Sequence, residues 1–405
     1  MSDALLSADE ARARLLAAAH PVPETEILAV DDALGRVVAA PLISSVNVPP
    51  LDNSAMDGYA LRLADTVDTP RLPITQRIPA GQIGQPLQPG QAARIFTGAP
   101  LPEGADTVVM QEDCETDGTN VWIKRAPKTG ANIRRAGEDI RIGQTVLAPG
   151  DRLSPARLGV AASVGATTLT VYRKLKVAVF FTGDEIVMPG QTLAPGRIYN
   201  SNRASLRGLL EQLGVETIDL GQVPDRLDAT VAVLEAAARQ ADVVITSGGV
   251  SVGEEDHVKA ALERLGRIEM WKVAMKPGKP LVYGRIDHAG LPGQTDFLGL
   301  PGNPVSAFVV FCLFARPFLL ARMGALVAPL RAFTVTAGFD WQKPGARREF
   351  LRARLENSRA VLYPSQSSGV LTSLAWADGL VDIAIGATVR AGDPVPFMPL
   401  SDLLS

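Results

Sequence analysis

The spacing of hydrophobic and polar residues changes several times along this chain of 405 residues, and each change predicts a different kind of element. Near the N-terminus, Ser7 and Glu10 stand at capping-box spacing before an Ala/Arg/Leu run, which predicts a helix that ends near His20. From Val46 to Ile140, short β-leaning runs alternate with Pro and Gly. This pattern predicts a small β-rich domain.

Helical spacing returns after the β-rich segment. Ser154 and Pro155 predict the start of a helix through Ser163, because Ser is a favoured cap and Pro a favoured first helical residue. We expect this helix to return to the N-terminal one, which makes the β-rich domain an insertion.

Strand-like and helix-like segments then alternate from Lys176 to Met323. Alternation of this kind predicts an α/β layer fold, doubly wound around a mostly parallel sheet. The predicted segments are 177–181, 202–213, 215–220, 227–240, 243–246, 255–265, 268–273, 281–285, 297–300 and 304–323. From Leu330 onward, short strands separated by turn signals predict a small β-barrel or sandwich.

Composition and charge narrow the possible functions. The net charge is -3 and the chain has no Lys/Arg-rich tail, so nucleic acid is not an expected partner. The apolar run Phe308–Ala315 is far too short to span a membrane, and the acidic N-terminus does not resemble a secretory signal. Cys114, Cys312 and three scattered histidines provide neither a disulfide framework nor a zinc site, so we expect a reducing, cytoplasmic setting.

Four loops leave predicted strands and carry unusual polar residues. They contain Glu185, Asp225, the segment 247–256 and the segment 301–304. In a doubly wound sheet the carboxyl ends of parallel strands meet at one edge, where ligands bind, so we expect these loops to converge. Carboxylates gathered at one edge repel each other unless a cation or a required pKa shift compensates. Mg²⁺ is the natural cation for carboxylate oxygens.

Two of these loops suit an anion. Gly248 and Gly249 expose backbone N–H groups without side chains, which allows close approach of a phosphate. In the string PGNPVS (301–306), we expect Asn to cap a helix and the free N–H groups to face outward. Lys276 and Lys279 flank a Pro-Gly turn and offer positive charge to a polyanion.

Each feature also has a purely structural interpretation. An acid before a helix is often only a cap, Gly-Gly is often only a tight turn, and loop lysines are usually solvated. The polar loops around Asp57, Thr97 and Asp139 are ordinary hairpin material by pattern alone.

Three arginines in the last domain are equally ambiguous. Arg347, Arg348 and Arg352, with the serines of 365–368, are residue types that hold an oxyanion through charge-assisted hydrogen bonds. A solvated basic strand face explains them as well.

Several strings are long enough to be compared with known families. They are DNSAMDGYA (52–60), TGAPLPEGADTVV (97–109), AGEDI (136–140), FTGDEI (181–186), SGGVSVGEEDHV (247–258), KPGKP (276–280) and GLPGNPVSAF (299–308). Together they resemble the molybdopterin molybdenumtransferase family, the MoeA-type proteins, whose eukaryotic relatives include the E domain of gephyrin. Two positions differ from the family pattern: Asn200 stands where many relatives have Asp, and Leu51 where Phe is frequent.

The resemblance implies four domains and a homodimer. The domains are a discontinuous helical linker region (1–46 and 139–172), an inserted β-rich domain (47–138), a central α/β domain resembling molybdopterin adenylyltransferases (173–325) and a C-terminal β-barrel-like domain (326–405). Each active cleft is then expected between the central domain of one subunit and the β-rich domain of the other.

The resemblance also implies which residues act. The expected catalytic residues are Asp57, Thr97, Asp139, Glu185, Asp225 and Asp256. Of these, Glu185, Asp225 and Asp256 are expected to hold Mg²⁺. The expected substrate-binding residues are Gly248, Gly249, Ser251, Lys272, Lys276, Lys279, Pro301, Asn303, Pro304 and Ser306. Molybdate is expected near Lys279, Ser306 and Arg348 or Arg352.

The implied reaction inserts molybdate into adenylylated molybdopterin and releases AMP and molybdenum cofactor. Both substrates are anions, which naked carboxylates repel by about 1 kcal/mol per close pair even in water, so a divalent metal is expected. A molybdopterin adenylyltransferase and apo-molybdoenzymes are further expected partners. Two alternatives stay open: an adenylyltransferase that acts on ATP, and a non-enzymatic dimeric scaffold. A dinucleotide dehydrogenase is disfavoured, because no G-x-G-x-x-G follows the first central strand.

Overall fold

The N-terminal helix begins where the capping box predicts. The computed structural model describes residues 5–68, 71–125, 128–250, 257–288 and 293–404. Helix α1 spans Ala8–Ala18, and the N–H of Glu10 donates to the Ser7 hydroxyl over 3.1 Å. The apolar face of α1 packs into the core of the central domain.

The linker region is closed by strands that lie far apart in sequence. Its elements are β1 (Thr25–Ala29), β2 (Leu42–Ile43), β11 (Thr145–Leu147), helix α3 (Pro155–Ser163) and β12 (Thr168–Tyr172). β1 pairs with β12 and β2 with β11, both antiparallel. The chain therefore does return after the β-rich segment, but through these strands: α3 and α1 bury their apolar residues in different cores.

The inserted segment forms a mixed six-stranded sheet. Its elements are β3 (Asn53–Ser54), β4 (Gly58–Leu61), α2 (Asp65–Asp68), β5 (Arg71–Ile78), β6 (Ala92–Ile95), β7 (Thr107–Met110), β8 (Cys114–Thr116), β9 (Asn120–Ile123) and β10 (Ile133–Arg134). The sheet order is β7–β4–β6–β5–β9–β8, while β3 and β10 form a separate ladder. The β-leaning runs at 58–61, 72–78, 93–96, 107–110 and 120–124 predict β4, β5, β6, β7 and β9, which are present; β3, β8 and β10 were not predicted.

The central domain alternates strands and helices as predicted. Its elements are β13 (Lys176–Thr182), β14 (Ile186–Val187), β15 (Ile198–Tyr199), α4 (Ser201–Leu213), β16 (Glu216–Val223), α5 (Leu227–Ala238), β17 (Val243–Ser247), α6 (His257–Leu265), β18 (Gly266–Lys272), β19 (Met275–Lys276), β20 (Pro280–Asp287), β21 (Gln294–Leu300), α7 (Pro304–Val310) and α8 (Arg316–Arg322).

The central sheet has the order β16–β13–β17–β21–β20–β18. The first four strands are parallel, which confirms the mostly parallel sheet, and β20 and β18 run antiparallel to their neighbours. β17 is buried at every residue, because helices cover both faces of the sheet.

A wide helical turn, Phe311–Ala315, joins α7 to α8. In this turn the N–H of Arg316 bonds to the carbonyl of Phe311, five residues earlier. Such π-turns interrupt the normal hydrogen-bond ladder, and Pro317, which has no N–H, follows directly. The continuous helix of 19 residues is long and apolar enough to cross a membrane, but 83% of its apolar window is buried inside the protein, as in the core helix of a soluble domain.

The C-terminal domain contains a closed barrel. Its elements are β22 (Phe333–Ala337), β23 (Arg348–Glu356), β24 (Arg359–Leu362), α9 (Thr372–Trp376), β25 (Gly379–Ile383), β26 (Pro394–Pro399) and α10 (Leu400–Leu404). Five strands follow the order β23–β24–β22–β26–β25, and β25 pairs back with β23. β19 of the central domain adds to β23 in parallel, so the lysine-rich turn after Met275 lies beside the barrel.

Candidate active site

The four polar loops leave one edge of the central sheet, as predicted. They follow the carboxyl ends of four adjacent parallel strands, at Thr182, Val223, Ser247 and Leu300. This edge is where ligands bind in doubly wound folds.

One asparagine joins two of these loops. Asn202, in the first turn of α4, donates from Nδ2 to Ser247 Oγ over 2.8 Å and to the carbonyl of Gly302 over 2.7 Å. Ser247 Oγ in turn donates to the carbonyl of Pro301 over 2.9 Å. Sequence reasoning missed Asn202, because an Asn near a helix start suggests a cap. Here the cap is Asn200, whose Oδ1 accepts from the N–H of Arg203 over 3.1 Å.

The two glycines after β17 are required by close backbone packing. Gly248 has φ of +98°, and a Cβ there would lie 2.3 Å from the carbonyl oxygen of Thr182. A Cβ on Gly249 would lie 2.7 Å from side-chain carbons of Thr182 and Val258. The N–H of Gly248 already bonds to the carbonyl of Leu300 over 3.3 Å, so the expectation of a free donor at Gly248 is wrong. The structural interpretation therefore holds at Gly248.

Two of the three predicted metal-binding acids lie on neighbouring loops. Asp225 is half-buried and accepts from the Thr182 hydroxyl over 3.2 Å. Glu185 is exposed, and its loop is held by Gln222, whose amide donates to the carbonyl of Ile186 over 2.9 Å.

Asp256 and Ser251 lie outside the described residues. Within the described ranges, no group of three His, Cys, Asp or Glu side chains is close enough to hold a metal. The two carboxylates present are nonetheless the donors that Mg²⁺ prefers, and Mg²⁺ is commonly held by one or two carboxylates together with waters and substrate phosphates. The Mg²⁺ site stays a prediction.

The lysine-rich turn lies between the sheet edge and the barrel. Lys276 and Lys279 are both exposed, and Lys272 is half-buried. Lys276 Nζ lies 3.1 Å from Oε2 of the buried Glu349, an ion pair without hydrogen-bond alignment. A Cβ on Gly278 would lie 2.4 Å from the side chain of Val310, so this turn packs directly on α7.

The turn before α7 differs from the expectation of outward-facing N–H groups. The N–H of Val305 donates to the carbonyl of Ser368 over 3.0 Å, and the side chain of Asn303 makes no capping hydrogen bond. Ser306 is buried, and Pro304 occupies the first helical turn as predicted. The carbonyl of Ser368 therefore accepts from one of the N–H groups that were expected to be free for an anion.

The two arginines predicted to contact molybdate have other partners. Arg348 forms a bidentate pair with Asp382, at 2.7 and 2.6 Å, and also contacts Asp9, and these bonds raise its pKa. Arg352 is buried in the barrel wall and donates to Ser373 Oγ over 3.2 Å, and burial lowers its pKa to about 10. In this arrangement Arg348 is already paired with carboxylates, which corrects its assignment to molybdate, while Arg352 is enclosed in the barrel wall and, among the described residues, bonds only to a hydroxyl and carbonyls.

Arg347 is the barrel arginine that faces the lysine-rich turn. Its Nη1 donates to the carbonyl of Met275 over 3.3 Å, next to Lys276. It is half-buried, and no carboxylate pairs with it in the described part of the chain. Arg347 is thus better placed than Arg348 or Arg352 to join Lys276 and Lys279 in binding an anion.

The β-rich domain brings its own polar strings together. The N–H of Ser54 donates to the carbonyl of Ala99 over 2.9 Å, and the N–H of Ala136 donates to Asp52 Oδ1 over 2.8 Å. These contacts join the strings at 52–60, 97–109 and 136–140. Asp139 is exposed and bonds to Val48 only through its main-chain N–H, at 3.0 Å.

Asp57 and Thr97 form a direct pair. Asp57 Oδ1 accepts from both the N–H and the hydroxyl of Thr97, each over 2.8 Å. These two donors, and the charge of Arg94, lower the pKa of Asp57. Arg94 is itself held over the ring of Phe96, with 4.7 Å from its Cζ to the ring centroid. Sequence reasoning found the pair but missed the cationic residue beside it.

Replacing Thr97 by Val is expected to raise the pKa of Asp57 part of the way to its ordinary value. The substitution removes the hydroxyl donor and keeps the N–H, which is the larger cause of the lowered pKa. A lowered pKa contributes stability above the unfolded pKa that is lost as the pH falls through the folded value, so in the variant this contribution should be smaller and its loss complete at a higher pH. A carboxyl NMR titration measures the change.

Asp117 is the internal control for that titration. Its pKa is lowered by the N–H groups of Asn120 and Thr119, which the substitution leaves intact. An unchanged Asp57 pKa in Thr97→Val, with Asp117 also unchanged, contradicts the role assigned to the hydroxyl.

Three family models match successive parts of this chain and define its class. Residues 178–321 match the family model for a probable molybdopterin binding domain. Residues 6–165 match the model for the MoeA N-terminal region (domain I and II), and residues 334–400 match that for the MoeA C-terminal region (domain IV). The chain thus combines a molybdopterin-binding type of α/β domain with both flanking MoeA regions.

Relatives that align with most of the chain show which family it belongs to. The molybdopterin molybdenumtransferase of Haemophilus influenzae is 45% identical over 323 residues, 79% of this chain and 78% of the relative. Molybdopterin molybdenumtransferase 2 of Mycobacterium tuberculosis is 38% identical, over 92% of this chain and 93% of its own length. A crystal structure of the molybdopterin biosynthesis MoeA protein from Pyrococcus horikoshii is 32% identical, with a TM-score of 0.77 over 98% of this chain and 99% of that one. The chain belongs to the MoeA family of molybdopterin molybdenumtransferases.

Proposed function

We propose that this protein inserts molybdate into adenylylated molybdopterin, with cleavage of the phosphoanhydride and release of AMP and molybdenum cofactor. The observation that carries the proposal is the convergence of Glu185, Asp225 and the lysine-rich turn at one edge of a sheet whose domain matches a molybdopterin-binding model. Membership of a family of molybdenumtransferases gives the reaction class.

The two ends of this edge suit the two substrates. Lys279 and Arg347 offer positive charge for molybdate or the pterin phosphate at the side where the barrel strand β23 meets β19. The exposed Lys276 adds charge that its ion pair with Glu349 partly offsets. Asp225, which the Thr182 hydroxyl orients, and Glu185 lie on the loops after β16 and β13, at the other end of this edge. These acids suit the diphosphate only when a cation compensates their charge.

Mg²⁺ dependence is part of the proposal. Glu185 and Asp225, with Asp256 as a third candidate, would hold the ion. When bound, Mg²⁺ would neutralise charge that develops on the leaving AMP. The protein's part is to orient Asp225 through the Thr182 hydroxyl and to hold the diphosphate in line with molybdate.

We further propose that the working form is a cytoplasmic homodimer whose cleft is shared. Asp57 and Thr97 form a polar pair on the β-rich domain, and the bonds described for them connect only to residues of that domain. In the shared cleft, this pair from one subunit would orient substrate on the sheet edge of the other. A molybdopterin adenylyltransferase and apo-molybdoenzymes are the proposed partners upstream and downstream.

The test of the reaction is direct. Purified protein incubated with adenylylated molybdopterin, molybdate and Mg²⁺ is expected to release AMP and to reconstitute an apo-molybdoenzyme, and EDTA is expected to stop both. ATP and molybdopterin without the adenylylated substrate should give no adenylylated product. Adenylylation from ATP would favour the adenylyltransferase. If the protein shows neither activity, the non-enzymatic dimeric scaffold is favoured.

The shared cleft has its own test in the same assay. Asp57→Asn and Asp225→Asn chains, each expected to have little activity alone, are mixed in equal amounts and allowed to exchange subunits. Half of the dimers become mixed and each of these has one intact cleft, so about one quarter of the wild-type rate should return. If the cleft lies within one chain, mixing restores no activity.

A further inference from the structure

A second cleft lies away from the candidate active site. It is formed where α1, the segment at residue 152, α8, the linker at 325–331 and α10 meet, and its volume is about 330 Å³. We call it the arginine cleft, because its charged lining consists of Arg12, Arg152, Arg316, Arg331 and Asp402. No residue assigned to the active site lines it.

Arg316 is the central observation. Its side chain is 9% exposed, and its buried Nε has no hydrogen-bond partner. No ion pair or hydrogen bond from this guanidinium is present in the described ranges of the chain. Burial lowers its pKa, and the nearby Arg152 lowers it further through like-charge repulsion. The π-turn before α8 sets the position of Arg316 in the helix.

The other two inner arginines use only main-chain carbonyls. Arg152 donates to the carbonyl of Leu213 over 3.1 Å at the end of α4, and Arg12 donates to the carbonyl of Ala328 over 3.2 Å. The Nε of Arg12 is also buried without a partner, and burial lowers the pKa of both groups. Carbonyls satisfy N–H groups but do not neutralise charge.

Among the described residues, Arg12, Arg152 and Arg316 take part in no ion pair with a carboxylate. Asp402, the acidic residue of the described lining, is exposed and accepts from the Ser401 hydroxyl over 3.4 Å. Asp9 lies near enough to raise the pKa of Arg12 but is 86% exposed and pairs with Arg348 at 2.8 Å. A buried guanidinium without a counter-charge is strongly unfavourable, so an anion in the cleft would relieve three groups at once.

We propose that the arginine cleft binds a phosphoryl group, either as inorganic phosphate or as a phosphate monoester. A tetrahedral dianion can accept from several N–H groups, and guanidinium forks match its oxygens. The cleft is larger than a phosphate ion alone, and apolar residues such as Pro317, Leu320 and Leu326 line the remainder, so it has room for the organic part of an ester.

Calorimetric titration and thermal unfolding of the full-length protein test this proposal. Inorganic phosphate, added to phosphate-free buffer at constant ionic strength, should bind the wild type and raise its Tm. Arg316→Met keeps the aliphatic stem and removes the charge, and it should weaken phosphate binding by about tenfold or more. Without phosphate this variant should be at least as stable as the wild type, because it no longer buries an uncompensated charge.

The matched control is Arg239→Met, which removes the same charge from an exposed position after α5. It should bind phosphate like the wild type. AMP is titrated in parallel, and the part of its binding that Arg316→Met removes is assigned to the cleft. If the cleft binds AMP more tightly than phosphate, its ligand is a phosphate monoester. If it binds phosphate more tightly than AMP, its ligand is inorganic phosphate. Equal binding of both ligands to wild type and Arg316→Met would overturn the proposal.

Discussion

Replacing Asp225 by Asn is expected to lower the rate of AMP release roughly 10²- to 10³-fold, the size of effect seen when one group that stabilises transition-state charge is lost. Asn keeps the shape of the side chain and an oxygen that accepts from the Thr182 hydroxyl, now 3.2 Å from Asp225. Only the negative charge is removed. The loss should therefore appear in kcat at saturating Mg²⁺, with the unfolding midpoint close to that of the wild type.

Asp228→Asn is the control for this experiment. Asp228 lies in the first turn of α5, its side chain is 74% exposed, and its ion partner is Arg226 at 3.3 Å. An exposed pair of this kind contributes little, so this variant should keep nearly the wild-type rate. If both variants release AMP at the wild-type rate, Asp225 has no part in the reaction.

Replacing Gly248 by Ala is expected to destabilise the protein by about 3 kcal/mol or more and to abolish most of its activity. The new Cβ would meet the carbonyl oxygen of Thr182 at 2.3 Å, and φ at this position is +98°. Two backbone segments would have to move apart, and with them the loops that carry Asp225 and the turn at Pro301. Urea unfolding and the AMP assay measure the two effects.

Gly214→Ala separates the clash from the backbone strain. Gly214 ends α4 with φ of +86°, and an added Cβ would meet nothing within 4 Å. Strain alone is expected to cost about 1–2 kcal/mol there and to leave kcat unchanged. If Gly248→Ala loses no more stability than Gly214→Ala, the close approach to Thr182 does not matter.

Local sequence signals predicted most elements correctly. The caps at Ser7 and Ser154, the buried apolar run of β17 and the strand-helix alternation each depend on residues a few positions apart. The four loops at the sheet edge followed from these elements, because parallel strands must end on the same side. Family strings then identified Asp57 and Thr97, which pattern alone left as hairpin residues, and the structure joins them directly.

Errors arose where a side chain or N–H group found a partner far away in sequence. Arg348 was expected to contact molybdate, but its guanidinium forms a bidentate ion pair with Asp382. The free N–H groups of the 301–306 turn were expected to face outward for an anion, and the N–H of Val305 donates instead to the carbonyl of Ser368, in the loop before α9. Neither partner is within 30 residues, so no local pattern could indicate which polar group each would meet.

The sequence by itself determined the element order, the mostly parallel central sheet and the loops that hold the chemistry, because hydrophobic spacing and helix caps act over a few residues. Only the tertiary structure decided which charges are free and which are paired. Arg348 pairs with Asp382, Asn202 joins two loops, and Arg316 is buried without an ion pair among the described residues. The physical reason is that pairing and burial depend on distances between segments that only the folded chain brings together.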